Sequence, residues 1–133
     1  MKKVLLLTTI LLIAVSCKKA ELSPLGPTDI RVRNLTTLNM TNVIVNTGGG
    51  EYTFSSIGAT SVSNYHRFEK AYPKANISSI INGQKYRTDT ILTYAYMQYL
   101  SQIKATYEIF IESEVLKKLK IQNVIQEDTI MVR

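Results

Sequence analysis

The sequence predicts an all-β domain built as a single antiparallel immunoglobulin-like sandwich, and three observations support this fold. From Thr28 onward the chain is rich in Val, Ile, Thr and Tyr, and polar and apolar residues alternate in several segments. Gly, Asn and Asp lie between these segments, at the short spacing that turns have in sandwich folds. The pair Asn82-Gly83 separates two of the segments, which is the strongest short-range signal for a hairpin.

The strands are predicted in order from this alternation. In the first strand, Ile30 and Val32 lie on one face and Arg31 and Arg33 on the other, because successive side chains point to opposite faces. The run Gly48–Gly50 ends the second strand, since glycine permits the positive φ angles of a tight reversal. The predicted strands are residues 29–35, 41–47, 51–54, 61–68, 76–81, 84–89, 103–112, 119–126 and 129–132.

Two segments between strands are less regular. Residues 113–118 are predicted to form a turn or a short helical bridge. In residues 92–100, Tyr94 and Tyr96 follow a two-residue period, which favours a strand or an extended loop. Met97 could instead belong to a helical face, so both alternatives stay open.

Composition and charge bound the core and the partners of this domain. The chain has no Trp and one Cys, so the core must be built from Ile, Val, Leu and Tyr. The 133 residues carry a formal charge of +6, and the basic residues are scattered except for Lys117, Lys118 and Lys120. A nucleic-acid-binding protein needs a dense basic face, so we predict no nucleic-acid partner. The alternative is a weak attraction to acidic glycans or anionic lipid headgroups.

The start of the chain resembles a bacterial lipoprotein signal peptide. Lys2 and Lys3 precede the apolar run Val4–Val15, which is too short for a transmembrane helix of about 20 residues. Small residues then lead into Cys17, in the order Ala-Val-Ser-Cys. The resemblance implies cleavage before Cys17 and attachment of lipid to its sulfur. An ordinary signal peptide cleaved near Ser16 and an uncleaved anchor are the two alternatives.

The chain is therefore predicted to have three parts: a lipoprotein signal peptide (residues 1–16), a lipidated tether (17–27) and a β-sandwich domain (28–133). The tether contains two of the three prolines, which disfavour a helix or a central strand. The expected partner of Cys17 is the lipid bilayer, and the expected location is the cell envelope, most simply the outer membrane. Whether the domain faces the periplasm or the cell surface stays open.

The pattern of apolar and turn residues across residues 29–132 resembles small lipoproteins of Bacteroidetes-type bacteria. The residues that carry the resemblance are Tyr52-Thr53-Phe54, Gly58, Thr60-Ser61, Ser63-Asn64-Tyr65, Phe68, Ala71-Tyr72, Ile81-Asn82-Gly83, Leu100 and Thr106-Tyr107-Glu108-Ile109. The resemblance implies a single immunoglobulin-like or transthyretin-like sandwich domain. It supplies no catalytic residue, so it implies a fold rather than an activity.

Little in the sequence indicates a metal site or a nucleophilic serine. A metal site needs several His, Cys, Asp or Glu side chains at ligand spacing, and His66 is the one histidine. We therefore predict neither a metal nor another cofactor. A Ser-His-acid triad would need His66 as its base, and the nearby Ser61 and Ser63 lack the context of a nucleophilic serine, so no catalytic residue is predicted.

Two pairs of carboxylates define the enzymatic alternative, a small envelope hydrolase or carbohydrate-processing enzyme. Glu108 and Glu112 are predicted on the outward face of a strand, and Glu127 and Asp128 in a turn between the last two strands. On the outward face of a strand, carboxylates such as Glu108 and Glu112 normally keep the protein surface soluble.

A cluster of tyrosines indicates a binding surface. Tyr94, Tyr96 and Tyr99 lie close together in the sequence, and tyrosine supplies broad contact area at low entropic cost. The functional interpretation is an aromatic patch that stacks on a glycan or on a loop of an envelope protein. The alternative is a core or half-buried face. The favoured function is a non-enzymatic binding or interaction module at the cell envelope.

Two threonines are candidate O-glycosylation sites. Asp89-Thr90-Ile91 and Asp128-Thr129-Ile130 each resemble the short Asp-Thr-apolar acceptor of exported proteins in such bacteria. These matches predict modification of Thr90 and Thr129.

Overall fold

Eight strands form a single curved sheet in the computed structural model of this chain. The structure describes residues 27–129, with side chains to residue 127. The strands are β1 (Thr28–Asn34), β2 (Met40–Asn46), β3 (Glu51–Ile57), β4 (His66–Phe68), β5 (Asn76–Ile81), β6 (Gln84–Arg87), β7 (Ile103–Ser113) and β8 (Lys118–Thr129). Their order across the sheet is β3-β2-β5-β6-β8-β7-β1-β4, and the sheet is nearly barrel-shaped.

Most neighbouring strands are antiparallel, but two pairs are parallel. β1 runs parallel to β7, with residues 29–34 opposite residues 104–109. β6 meets β8 in parallel at one position, where Arg87 lies opposite Lys118. The prediction of an antiparallel immunoglobulin-like sandwich is confirmed only as an all-β fold, because the strands form one mixed sheet. Alternation along a strand indicates its two faces but not its neighbours, so the sequence could not reveal the parallel pairs.

The two edge strands approach each other through aromatic side chains. Tyr52 of β3 stacks on His66 of β4, with ring centroids 3.5 Å apart. Phe54 contacts Tyr52 edge-on at 4.9 Å, and Phe68 contacts His66 edge-on at 5.0 Å. These rings cover edges that an open sheet would expose to other chains. His66 is therefore a packing residue between the edge strands.

The inner face of the sheet holds the hydrophobic core. Buried and half-buried residues alternate along β1, so Ile30 and Val32 face inward, as predicted. Tyr107 of β7 is fully buried, and its hydroxyl donates to the backbone carbonyl oxygen of Tyr72. Burial raises the pKa of the Tyr107 phenol above its ordinary value. Other fully buried side chains are Met40, Val43, Val45, Ile57, Ile77, Ile81, Ile109 and Leu119.

Two asparagines mark places where the strand backbone departs from extended geometry. Asn82 and Gly83, between β5 and β6, have φ angles of 49° and 75°. Positive angles at both positions are typical of a type I′ turn, and the antiparallel pairing of the two strands confirms the predicted hairpin. Asn42 has a φ angle of 49° where the pairing of β2 with β5 shifts register, so it forms a bulge.

Two predictions differ from the observed elements, and a third segment follows one of its predicted alternatives. The predicted strand at residues 61–68 is instead β4 and an isolated bridge at Val62. β8 continues through Glu127 and Asp128 to Thr129, so the turn predicted at Glu127 and Asp128 is wrong. Residues 92–100 form neither a regular strand nor a helix, which agrees with the extended-loop alternative.

Several predictions concern residues outside the described range. They cover the signal peptide at residues 1–16, the tether up to residue 26 with Cys17, and the strand end at residues 130–132. Within residues 27–129, no helix is long and apolar enough to span a bilayer.

Candidate functional site

A long loop, residues 88–102, joins β6 to β7. The backbone N–H of Ile91 donates to Oδ1 of Asn76 at 2.8 Å, near the start of the loop. At its other end, the N–H of Leu100 donates to the carbonyl oxygen of Ala71 at 2.8 Å. These bonds fix both ends of the loop to the sheet and to the segment before β5.

Two of the three candidate tyrosines of this loop pack against Tyr72, which lies before β5. The ring centroids of Tyr94 and Tyr99 lie 4.6 Å and 5.8 Å from that of Tyr72. Tyr94 also lies against Gly48, where an added Cβ would be 2.8 Å from the ring. Partial burial raises the pKa of Tyr94. Tyr94 and Tyr99 therefore hold the loop against the sheet.

The third tyrosine points into solvent. The relative exposure of Tyr96 is 97%, and that of Leu92, four residues earlier, is 92%. The structure thus brings Tyr94 and Tyr99 together around Tyr72 and leaves Tyr96 exposed with Leu92. Leu92 also lines a concavity that is partly apolar, which makes this part of the surface a candidate interaction site.

A groove of about 550 Å³ lies between the long loop and the start of β8. This volume falls within the range of roughly 300–1,000 Å³ that is typical of ligand sites. Its lining residues are Lys74, Ala75, Thr88, Asp89, Thr90, Ile91, Leu92, Thr93, Met97, Glu112, Leu119, Lys120 and Ile121. None of these described lining residues is aromatic, and about half of them are apolar.

The charged residues of the groove are unequally paired. Nζ of Lys118 lies 2.9 Å from a carboxylate oxygen of Asp89 and 2.9 Å from one of Glu112. The hydrogen bond from Lys118 lowers the pKa of Glu112, and Lys120 contacts the same carboxylate at 3.4 Å. Lys74 forms no ion pair with any of the residues the structure describes. Lys74 therefore adds a positive charge to the groove that no described carboxylate pairs with.

The groove runs along an unpaired edge of β8. β6 ends at Arg87 and pairs with β8 only at Lys118. From Leu119 onward, β8 pairs with β7 on one side, and no described strand pairs with its other side. Leu119, Lys120 and Ile121 of this unpaired stretch line the groove, so the groove adjoins it. Backbone N–H and C=O groups at such an edge are available to another chain.

A second region, which we call the paired wall, covers the outer face of β1 and its neighbours. Each outward side chain of β1 forms an ion pair. Arg67 binds Asp29 at 2.8 Å and Arg31 binds Glu127 at 2.7 Å. The third pair, Arg33 with Glu108, is 3.0 Å long.

Glu108 was predicted to be exposed, but it is buried within the paired wall. Its relative exposure is 7%, because Arg33 covers one carboxylate oxygen and Nδ2 of Asn123 donates to the other at 3.1 Å. A carboxylate with both oxygens bound in this way stabilises the sheet and has no room for a substrate.

Glu127 is also fully engaged. Its carboxylate accepts hydrogen bonds from the Tyr65 hydroxyl, from Arg31 and from Thr106. The Tyr65 hydrogen bond and the Arg31 charge lower the pKa of Glu127. A glycosidase needs one carboxyl group whose pKa is raised, so these contacts do not favour the hydrolase alternative. The side chain of Asp128 lies outside the described part of the structure.

The serines near His66 have structural partners. Oγ of Ser63 accepts from the backbone N–H of Val32 at 2.9 Å, and Oγ of Ser61 donates to the carbonyl oxygen of Ala59 at 3.2 Å. His66 is stacked among aromatic rings, as described above. Among residues 27–127, no group of three or more His, Cys, Asp or Glu side chains is placed to hold a metal ion.

The two candidate glycosylation sites, Thr90 and Thr129, lie in different parts of the fold. Thr90 is exposed and lies between the groove and a second concavity of about 250 Å³ on the other side of the loop. Thr129 is the last residue of β8, and its side chain is outside the described range.

Comparisons with known proteins leave the function open. No family model matches the chain, and no curated protein matches it. Among solved structures, it is similar to one described as the NMR structure of the protein from Eubacterium rectale. The sequence identity is 17%, the TM-score is 0.48, and the match covers 78% of this chain and 96% of the other. A likeness of this strength carries no argument about function.

Sequence reasoning missed the groove altogether. Its walls come from the long loop and from β8, which are separated by more than twenty residues in the sequence and meet only through tertiary pairing. The exposed Leu92 could have signalled the site, but a single Leu in a loop has no pattern that distinguishes exposure from burial.

Proposed function

We propose that this chain is a lipid-anchored lipoprotein of the cell envelope, most simply of the outer membrane, that acts as a non-enzymatic binding module. Leu92 and Tyr96 carry the proposal, because both are more than nine-tenths exposed. Leu92 lines the partly apolar groove, and Tyr96 precedes Met97, which also lines it. Tyr96 offers a rigid amphipathic surface that contacts a partner at low entropic cost. The partner is a glycan or a protein of the envelope.

The position of the proposed anchor supports this function. The tether enters the sheet at Thr28, and Asp29 next to it lies opposite Lys104, at the start of β7. The groove lies at the other end of the same strand, beside Glu112. Lys104 and Glu112 are eight residues apart on β7, so the two positions are about 26 Å apart at roughly 3.3 Å per residue of strand. An anchor at Cys17 would therefore leave the groove free to meet a partner away from the attachment point.

Binding is tested with the wild type, a Leu92→Ala/Tyr96→Ala double variant and a Val62→Ala control. Val62 is an exposed apolar residue, 40% accessible, outside the loop and the groove. We expect the double variant to lose glycan-array or envelope pull-down signals that the control retains, with unchanged thermal unfolding of all three proteins. Signals that survive in the double variant, or no signal for the wild type, would contradict the proposal.

Anchoring is tested separately from binding. Mass spectrometry of the membrane fraction should identify Cys17 as the modified N-terminal residue. A soluble mature protein that begins at another residue would exclude the anchor. Protease treatment of intact cells then distinguishes the periplasmic from the surface face.

Modification of Thr90 is a further part of the proposed function. Its exposure makes the hydroxyl accessible to a transferase, and a glycan there would stand at the mouth of the groove. Mass spectrometry of the peptides that contain Thr90 and Thr129 tests both sites, and unmodified peptides from cell-derived protein would refute the assignment.

A further inference from the structure

We infer that the groove binds an extended peptide segment of a partner protein, which adds to the free edge of β8 and carries acidic side chains. This inference rests on the proposed function in taking the groove as part of the binding surface. It goes further because it names the chemical class of the partner and the atoms that recognise it.

The first argument is the free edge of β8. Beyond Lys118 the strand has a hydrogen-bonded neighbour on one side only, and Leu119 and Ile121 of this stretch line the groove. An extended peptide satisfies the backbone groups of such an edge with its own N–H and C=O groups. An acyl chain would cover the same groups without bonding them, which is costly in an apolar groove.

The second argument is the chemistry of the lining. Sugars are commonly held by stacking on aromatic rings, and none of the described lining residues is aromatic. The loop contributes the apolar residues Ile91, Leu92 and Met97 to the lining, and β8 contributes Leu119 and Ile121. Every second side chain of an added strand would point to one face of the sheet, so alternate apolar residues would contact this lining.

The third argument is charge. Asp89 and Glu112 are both bound by Lys118, whereas Lys74 has no ion pair among the described residues. The side chain of Lys120 is 59% exposed and touches Glu112 only at 3.4 Å. Lys74 and Lys120 can therefore bind carboxylates of the peptide, and a basic peptide would be disfavoured.

Peptide selection provides the test. The full chain in lipid nanodiscs is screened against displayed 12-residue peptides, with empty nanodiscs as the counter-selection. We expect the selected peptides to alternate apolar and other residues and to be enriched in Asp and Glu. Failure to select any peptide, or selection of basic peptides, would overturn the inference.

Charge-reversed variants then locate the binding site of a selected peptide. Lys74→Glu should weaken binding about tenfold, and replacing the acidic residues of the peptide by Lys should restore it. The control is Lys104→Glu, which makes the same charge change at the opposite end of β7, where Lys104 lies over the Tyr65 ring. Equal losses in the two variants would mean that the peptide binds through general charge attraction and not in the groove.

Two readouts identify strand addition itself. Alternate amides of an added strand point toward β8, and the others point away from it. N-methylation of the first set should abolish binding, whereas N-methylation of the second set should have little effect. Hydrogen exchange of alternate backbone amides in residues 119–125 should slow when the peptide is bound. If the two methylation patterns behave alike, or exchange is unchanged, the peptide does not pair with β8. If the wild-type protein binds no peptide but gives a glycan signal that depends on Tyr96, this inference alone is refuted. If the wild-type protein shows neither, the proposed function is refuted as well.

Discussion

The two strands of the β7–β8 hairpin differ in how they are embedded in the sheet. β7 lies between two strands and pairs with β1 along residues 104–109, and all five residues from Ala105 to Ile109 are buried. β8 pairs with β7 along its length but with β6 at one position, and most of residues 122–127 are exposed. One hairpin thus supplies both a structural strand and an open edge.

This difference separates stability from binding. On the β7 side, the charged side chains of the paired wall form ion pairs with one another. Few charged groups there are left to bind a ligand. On the β8 side, an unpaired backbone edge, an apolar groove and the unpaired Lys74 lie together. Protein sites that bind partners commonly keep such unsatisfied groups, whereas structural regions pair them.

The largest effect is expected from a substitution in the buried centre of β7. Tyr107→Ala should lower the free energy of unfolding by about 3–5 kcal/mol, because it leaves a cavity and removes the donor to the Tyr72 carbonyl. Denaturant unfolding followed by circular dichroism measures the change. On β8, Ile125→Ala is the matched control, since Ile125 is 38% exposed and should cost less than about 1 kcal/mol. Similar losses for both would mean that the two strands are equally embedded.

The paired wall is tested next, at its most buried carboxylate. Glu108→Ala should cost about 1–2 kcal/mol, because Arg33 and Asn123 lose their acceptor. The loss is moderate since the Arg33 side chain is 38% exposed and can turn to water. Urea unfolding measures it, with Gln122→Ala on the exposed side of β8 as a control that should stay within about 0.5 kcal/mol. A neutral Glu108→Ala variant would show that the wall is not needed for stability.

A substitution at the turn that holds the long loop should have an effect of similar size. Gly48 has a φ angle of 82°, and a side chain there would meet the Tyr94 ring. Gly48→Ala should therefore cost about 1–2 kcal/mol, and amides in residues 94–99 should exchange faster. Gly83→Ala is the control, because Gly83 has a φ angle of 75° but no atom within contact distance of an added Cβ. Faster exchange in the long loop of the control as well would mean that Tyr94 does not hold the loop.

The sequence predicted the elements whose signals are local. Alternation identified the inward face of β1, and Asn82-Gly83 identified the β5–β6 hairpin. It did not predict the parallel pairing of β1 with β7, because the two strands are far apart in the chain and alternation carries no register between them.

The candidate site was predictable only in part, for a related reason. The two-residue spacing of Tyr94 and Tyr96 does not continue to Tyr99. The spacing could therefore not indicate that Tyr94 and Tyr99 would pack on Tyr72 and leave Tyr96 exposed. Glu108 looked like a surface residue because its outward position was visible and the Arg33 side chain that covers it was not. Contacts between distant segments decided both outcomes.

The smallest effect concerns the acid dependence of stability, and it compares two carboxylates with different surroundings. Hydrogen bonding to Tyr65 and the charge of Arg31 lower the pKa of Glu127 below its ordinary value of 4.5. The folded state therefore holds the charged form more strongly than the unfolded state does. The contribution to stability is fully present above pH 4.5 and is lost as the pH falls through the lower, folded-state pKa.

Glu127→Gln should accordingly flatten the loss of stability below pH 4.5, since the variant has no proton to take up at this position. Thermal unfolding between pH 7 and pH 3 measures the slope. Glu114→Gln makes the same charge change in the turn between β7 and β8, where the Glu114 carboxylate has no ion pair among the described residues, and it should leave the slope unchanged. If both variants flatten the slope equally, the acid dependence reflects overall charge. The contacts that Glu127 makes across β8, β1 and β7 would then contribute nothing of their own.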